Sequence, residues 1–81
     1  MNRYEKKALR TNVAYLVKRL ANDENITTDV ALERIMKTDL YAALMDSEME
    51  LYGESGNYLY KVLRQELHGD KNAVIKMYYE I

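Results

Sequence analysis

The sequence predicts an all-α fold, a compact bundle of four short helices, or five if the last ten residues are helical too. Three observations predict it. The chain has no proline, and its three glycines, Gly53, Gly56 and Gly69, all lie in the second half; proline breaks helices and glycine weakens them. Apolar residues recur at intervals of three and four. Thr and Ser stand just ahead of the apolar runs, where their oxygens can accept the unpaired N–H groups of a helix start.

The first helix is expected over residues 4–21, where Leu9, Val13, Leu16 and Leu20 form one stripe with Val17 beside it. The polar run 22–25 ends it. Thr27 or Thr28 opens a second helix carrying Val30, Ala31, Leu32, Ile35 and Met36, with Ile26 placed to staple against Val30 or Ala31. Thr38 and Asp39 open a short third helix with Leu40, Ala43 and Leu44, flanked by Tyr41 and Met45. Residues 46–56 alternate apolar and acidic positions, which suits a short extended segment or a hairpin-like turn, and Gly53 and Gly56 permit turn conformations. Ser55 caps a fourth helix over residues 57–67, striped by Leu59, Val62, Leu63 and Leu67, with Gly69 placed as its C-terminal cap. In the tail, Val74, Met77, Tyr78 and Ile81 fit a helix, while Ile75, Met77, Tyr79 and Ile81 fit a strand; Asp70 as a possible cap favours helix. The expected core is Leu9, Val13, Leu16, Leu20, Val30, Ile35, Leu40, Leu44, Leu59, Val62 and Leu63.

At 81 residues the chain has room for one domain, with residues 70–81 either completing it or forming a separately docking or oligomerising tail. No repeat, low-complexity segment or linker divides it. The absence of cysteine removes disulfides and thiolate chemistry, and fits a reducing compartment. No apolar run approaches the roughly 20 residues that cross a bilayer, and no apolar segment follows the charged start, so no membrane association and a cytoplasmic location are expected. The net charge of −1 hides an asymmetry. Residues 1–20 hold Arg3, Lys6, Lys7, Arg10, Lys18 and Arg19 against Glu5 alone, whereas residues 21–60 hold nine acids against Arg34 and Lys37. At about 100° per residue, Arg3, Lys6, Lys7, Arg10 and Lys18 share an arc beside the apolar stripe. Either the basic helix packs against acidic elements of its own fold, or it offers a face to nucleic acid.

Catalytic and metal motifs find little support. Asp46, Glu48 and Glu50 begin like a calcium loop, but Leu51 and Asn57 stand where its glycine and bidentate glutamate belong. The single histidine, His68, sits at an expected helix end, where a cation favours the dipole. Ser47 and Ser55 lie in no nucleophile motif, and the Gly53–Gly56 stretch lacks the Lys-Ser/Thr end of a phosphate loop. No catalytic role and no cofactor are expected. Residues 28–45 could form a helix-turn-helix, yet its second helix carries no Lys or Arg and ends in acid, which phosphates would repel.

All eight aromatic residues are tyrosine, each an apolar ring with a hydroxyl that needs a partner or water. Five fall in two tight groups, Tyr52, Tyr58 and Tyr60 around the glycine turn and Tyr78 and Tyr79 in the tail. Together with Ile81 they are the candidate protein-interaction residues, since such rings suit recognition. The runs Thr38-Asp39-Leu40-Tyr41-Ala42-Ala43-Leu44-Met45-Asp46 and Leu51-Tyr52-Gly53-Glu54-Ser55-Gly56-Asn57-Tyr58-Leu59 resemble those of short bacterial proteins of uncharacterised function, over roughly residues 10–67. The resemblance implies an independent small domain and supplies no site residues. The expected role is non-catalytic protein–protein interaction as a small regulatory or adaptor domain, with a protein partner or a second copy bound through the tail. The alternative is a DNA-binding regulator using residues 28–45 or the basic face of Arg3, Lys6, Lys7, Arg10 and Lys18.

Overall fold

A computed structural model describes residues 2–80, the side chain of Glu80 excepted. Its helices are α1 (Arg3–Glu24), α2 (Thr28–Met36), α3 (Asp39–Met45), α4 (Gly56–Leu67) and α5 (Ala73–Glu80), with 3₁₀ turns at Ser47–Met49 and Leu51–Gly53. The fold is all-α, and the tail supplies the fifth helix.

Local sequence explains most helix ends. Asn2 and Glu5 form a capping box at α1: the Glu5 N–H donates to Asn2 Oδ1 at 2.9 Å and the Asn2 N–H to Glu5 Oε2 at 3.0 Å. Thr27 caps α2, Thr38 caps α3 and Ser55 caps α4, each accepting the N–H three residues on. Gly69, at φ 99°, closes α4 in a Schellman arrangement, with Gly69 N–H on Glu66 O and Asp70 N–H on Gln65 O, both at 3.0 Å. Asp70 then accepts from Asn72 N–H and Lys76 Nζ, both at 2.9 Å, and so fixes the entry to α5.

Two elements differ from expectation. α1 continues through residues 22–24, and Asn25 in the left-handed region (φ 53°) ends it. Its last turn is anchored from α4: Tyr60 donates to Asp23 at 2.6 Å and Arg64 to Glu24 at 2.6 Å. Residues 46–53 are not extended. They wind into the two 3₁₀ turns, with Glu50 reversing the chain at φ 54° and Leu51 buried beneath. The Asn12 side chain holds this segment to α1, donating to the carbonyls of Tyr52 and Glu54 at 3.1 Å each.

One core joins all five helices, its largest fully buried side chains being Leu16, Leu20, Ile35, Leu40, Leu44, Leu59, Leu63 and Met77. Ala73 and Met77, four residues apart, pin α5 to it, while Ile75 and Tyr79 face out, so helical spacing prevails over the strand alternative. Residues 70–80 thus dock on their own domain. Leu9 and Val13 are half-buried, and Val30 is exposed. On α2, which packs against α1, the small Ala31 goes inward with Ile35 while Val30 is turned out.

Candidate functional site

α1 has two contrasting sides. Towards α4 it forms a polar seam. Arg19 lies 4.3 Å from the Tyr60 ring centroid and donates to Tyr15 Oη at 2.8 Å and Asn57 Oδ1 at 2.7 Å. A guanidinium over an aromatic face gains electrostatic attraction and pins the ring. Tyr60 itself is only 4% exposed. Burial and its hydrogen bond to Asp23 push its hydroxyl up to about 12 from 10.0. Tyr60 is therefore a correction to the candidate list: its ring and hydroxyl are both used inside the fold. Gly56 serves the same seam by its lack of a side chain, because a Cβ there would sit 2.6 Å from the Tyr15 ring. Its role is space, not an unusual turn conformation.

The remaining tyrosines separate. Tyr52 is half-buried, and desolvation with the nearby Glu5 raises its hydroxyl pKa. Tyr58 packs partly buried against the core beside α5, lining a small hollow with Ala73 and Met77. Tyr78 and Tyr79 are 58% and 84% exposed, their rings edge to face at 6.3 Å. With Met49, Val74 and Ile75 they line a shallow concavity of about 490 Å³. Ile81 lies outside the described residues.

On its other side α1 is open. Leu9, Val13 and Val17 face Leu32 of α2 and Tyr41 and Met45 of α3 across a groove of about 620 Å³. Leu32 and Met45 remain 36% and 42% exposed. The charged residues lining the groove are Arg10 and Lys18. All five candidate cations, Arg3, Lys6, Lys7, Arg10 and Lys18, are exposed, and among the described residues none joins an ion pair. Around α1, at about 100° per residue, Lys7 falls between Arg10 and Lys18 on the arc the five share, and it also borders a hollow with Tyr4 and Tyr52. Sequence reasoning assigned Leu9 and Val13 to the core and missed the groove. The available signal was surplus: Val17, Leu32 and Met45 are apolar but stand beside their stripes.

α3 is closed at its N-terminus. The Asp39 and Leu40 N–H groups donate to the two carboxylate oxygens of Glu66 at 2.6 and 3.0 Å. His68 is exposed at the C-cap of α4. Among the described residues no group of three or more His, Asp or Glu gathers that could hold a metal ion, and no helix is long and apolar enough to cross a membrane. No family model matches this sequence, and no curated protein or solved structure matches it either.

Proposed function

We propose that this chain is a non-catalytic interaction domain that associates with a second copy through the outer face of α5, as a small regulatory or adaptor protein of the bacterial cytoplasm. The observation that carries this is the division of α5. Ala73 and Met77 lock one side into the core, while Ile75, Tyr78 and Tyr79 stand exposed on a rigid helix. Large rings presented on an ordered element lose little conformational freedom when they dock. Light scattering across a concentration series tests the reading: wild type gains mass with concentration, and Ile75→Lys/Tyr79→Lys stays monomeric. A wild type that is monomeric at about 1 mM contradicts it.

The alternative, nucleic-acid binding, draws support from the exposed cations Arg3, Lys6, Lys7, Arg10 and Lys18 of α1, which join no ion pair among the described residues. Two features favour the protein reading. The N-terminus that a recognition helix would offer to DNA is covered by the Glu66 carboxylate. Arg10 and Lys18 flank an apolar floor, which phosphates do not reward. Binding to random duplex DNA that falls steeply with salt and is lost in Arg10→Glu/Lys18→Glu would favour the alternative.

A further inference from the structure

We infer that the hollow beside the α1–α4 seam binds the phosphate or diphosphate group of a small molecule. The inference does not depend on self-association through α5.

The hollow, about 580 Å³, is lined by Arg19 of α1, by Lys61 and Arg64 of α4, and by the polar side chains of Ser55, Asn57 and Gln65. Both arginines are held at one end only. Arg19 donates from Nη1 to Tyr15 Oη at 2.8 Å and Asn57 Oδ1 at 2.7 Å, and Arg64 donates from Nη1 to Glu24 Oε1 at 2.6 Å. Among the described residues no acceptor meets Nε or Nη2 of either arginine, and none meets Lys61 Nζ. Arg19 is therefore fixed by neutral groups, the Tyr60 ring included, with a pair of donors left over. Such a planar pair grips two oxygens of a phosphate at once.

Spacing brings the cations to one place. Asn57, Lys61 and Arg64 stand at i, i+4 and i+7 on one face of α4, and the bond from Arg19 to Asn57 ties α1 to the start of that face. The acids nearby are engaged elsewhere. Glu24 takes Arg64, Asp23 accepts from Tyr60, Glu66 covers the start of α3, and Glu54 borders the hollow with Tyr4 and Tyr52. Among the described residues no acid lines the hollow, and Arg19 and Lys61 join no ion pair. A phosphate group brings them up to about two negative charges and three acceptor oxygens, where a carboxylate brings one charge. Lys61 and Arg64 are three residues apart, about 4.5 Å along α4, and the cations gather round one concavity. That arrangement suits a compact ligand better than a duplex, whose phosphates follow an extended backbone.

The probe is inorganic pyrophosphate, titrated at low salt into the full chain and followed by ¹H–¹⁵N correlation spectra. Saturable one-to-one binding is expected, with the largest shifts at Arg19, Asn57, Lys61 and Arg64. Lys61→Glu, at an exposed position, is expected to bind at least tenfold more weakly, with circular dichroism and thermal unfolding as in wild type. Arg19→Lys keeps the charge and loses the paired donors, and is expected to weaken binding severalfold. Lys18→Glu makes the same charge change outside the hollow and is expected to alter affinity less than twofold. Equal losses in Lys18→Glu and Lys61→Glu would show attraction by overall charge and overturn the inference. Pyrophosphate that does not saturate, or shifts centred elsewhere, overturns it too. In the last arm, random duplex DNA is expected to leave those four residues unshifted; DNA that shifts them more than pyrophosphate does would make nucleic acid the ligand and overturn the inference.

Discussion

The two sides of α1 make the most instructive comparison in the molecule. On the α4 side, Tyr15, Arg19, Asp23 and Glu24 find partners in Asn57, Tyr60 and Arg64, and the interface is complete within the chain. On the α2–α3 side, Leu9, Val13 and Val17 meet an open groove, and among the described residues Arg10 and Lys18 join no ion pair. The same helix thus carries a finished face and an unfinished one. Polar groups mark the finished face and apolar ones the unfinished face, the reverse of what a solvent-exposed surface requires. Substitutions in the seam should therefore cost stability, and substitutions at exposed positions of the groove should leave it nearly unchanged.

The largest effect falls on the seam. Tyr60→Ala removes a buried ring, and chemical denaturation should show a loss of about 3–5 kcal/mol. Glu66→Ala uncovers two N–H groups at the start of α3 and should cost about 2 kcal/mol, read as a lower denaturation midpoint with unchanged slope. Gly56→Ala forces a methyl against the Tyr15 ring and should lose about 1–2 kcal/mol despite the better helix former. Tyr60→Phe keeps the ring but loses the bond to Asp23, for about 1–2 kcal/mol near neutral pH. That last difference carries a pH signature. The Tyr60 hydroxyl titrates at about 12 in the folded chain against 10.0 ordinarily. Below pH 10 it is protonated in both states and its contribution is complete. Between about pH 10 and 12 the unfolded chain ionises first, so wild type should lose its advantage over Tyr60→Phe there. The smallest stability effect belongs to the groove: Leu32→Ala should shift thermal unfolding by no more than about 0.5 kcal/mol in a dilute, monomeric sample.

How much the sequence revealed follows the range of the interaction. Thr38, Ser55 and Gly69 act within three residues of themselves, and their roles were legible as caps. Thr27 and Thr28 competed for one position until the Thr27 oxygen was seen to accept from Val30. Asn12 and Glu66 act across 40 and 26 residues, and nothing near them in the chain points to the carbonyls or N–H groups they satisfy. The extension of α1 has the same cause, since its last turn is held by Tyr60 and Arg64. Val30 and Ala31 show the limit of apolar spacing: both fit a stripe, and only Ala31 is buried. Of the candidate interaction residues, Tyr78 has the helical spacing of the apolar stripe yet is exposed, since Ala73 and Met77 take the inner side of α5, and Tyr60 was not readable as buried, because a tyrosine's hydroxyl partner decides its place. The groove was hidden because Leu9 and Val13 have core spacing, and only the tertiary arrangement leaves them half covered.

The most direct test of the central claim is a dilution series followed by ¹H–¹⁵N correlation spectra of the full chain. Self-association through the outer face of α5 predicts concentration-dependent amide shifts around Ile75, Tyr78 and Tyr79 with one common midpoint. Spectra that do not change with concentration, or shifts that leave α5 untouched, would contradict it.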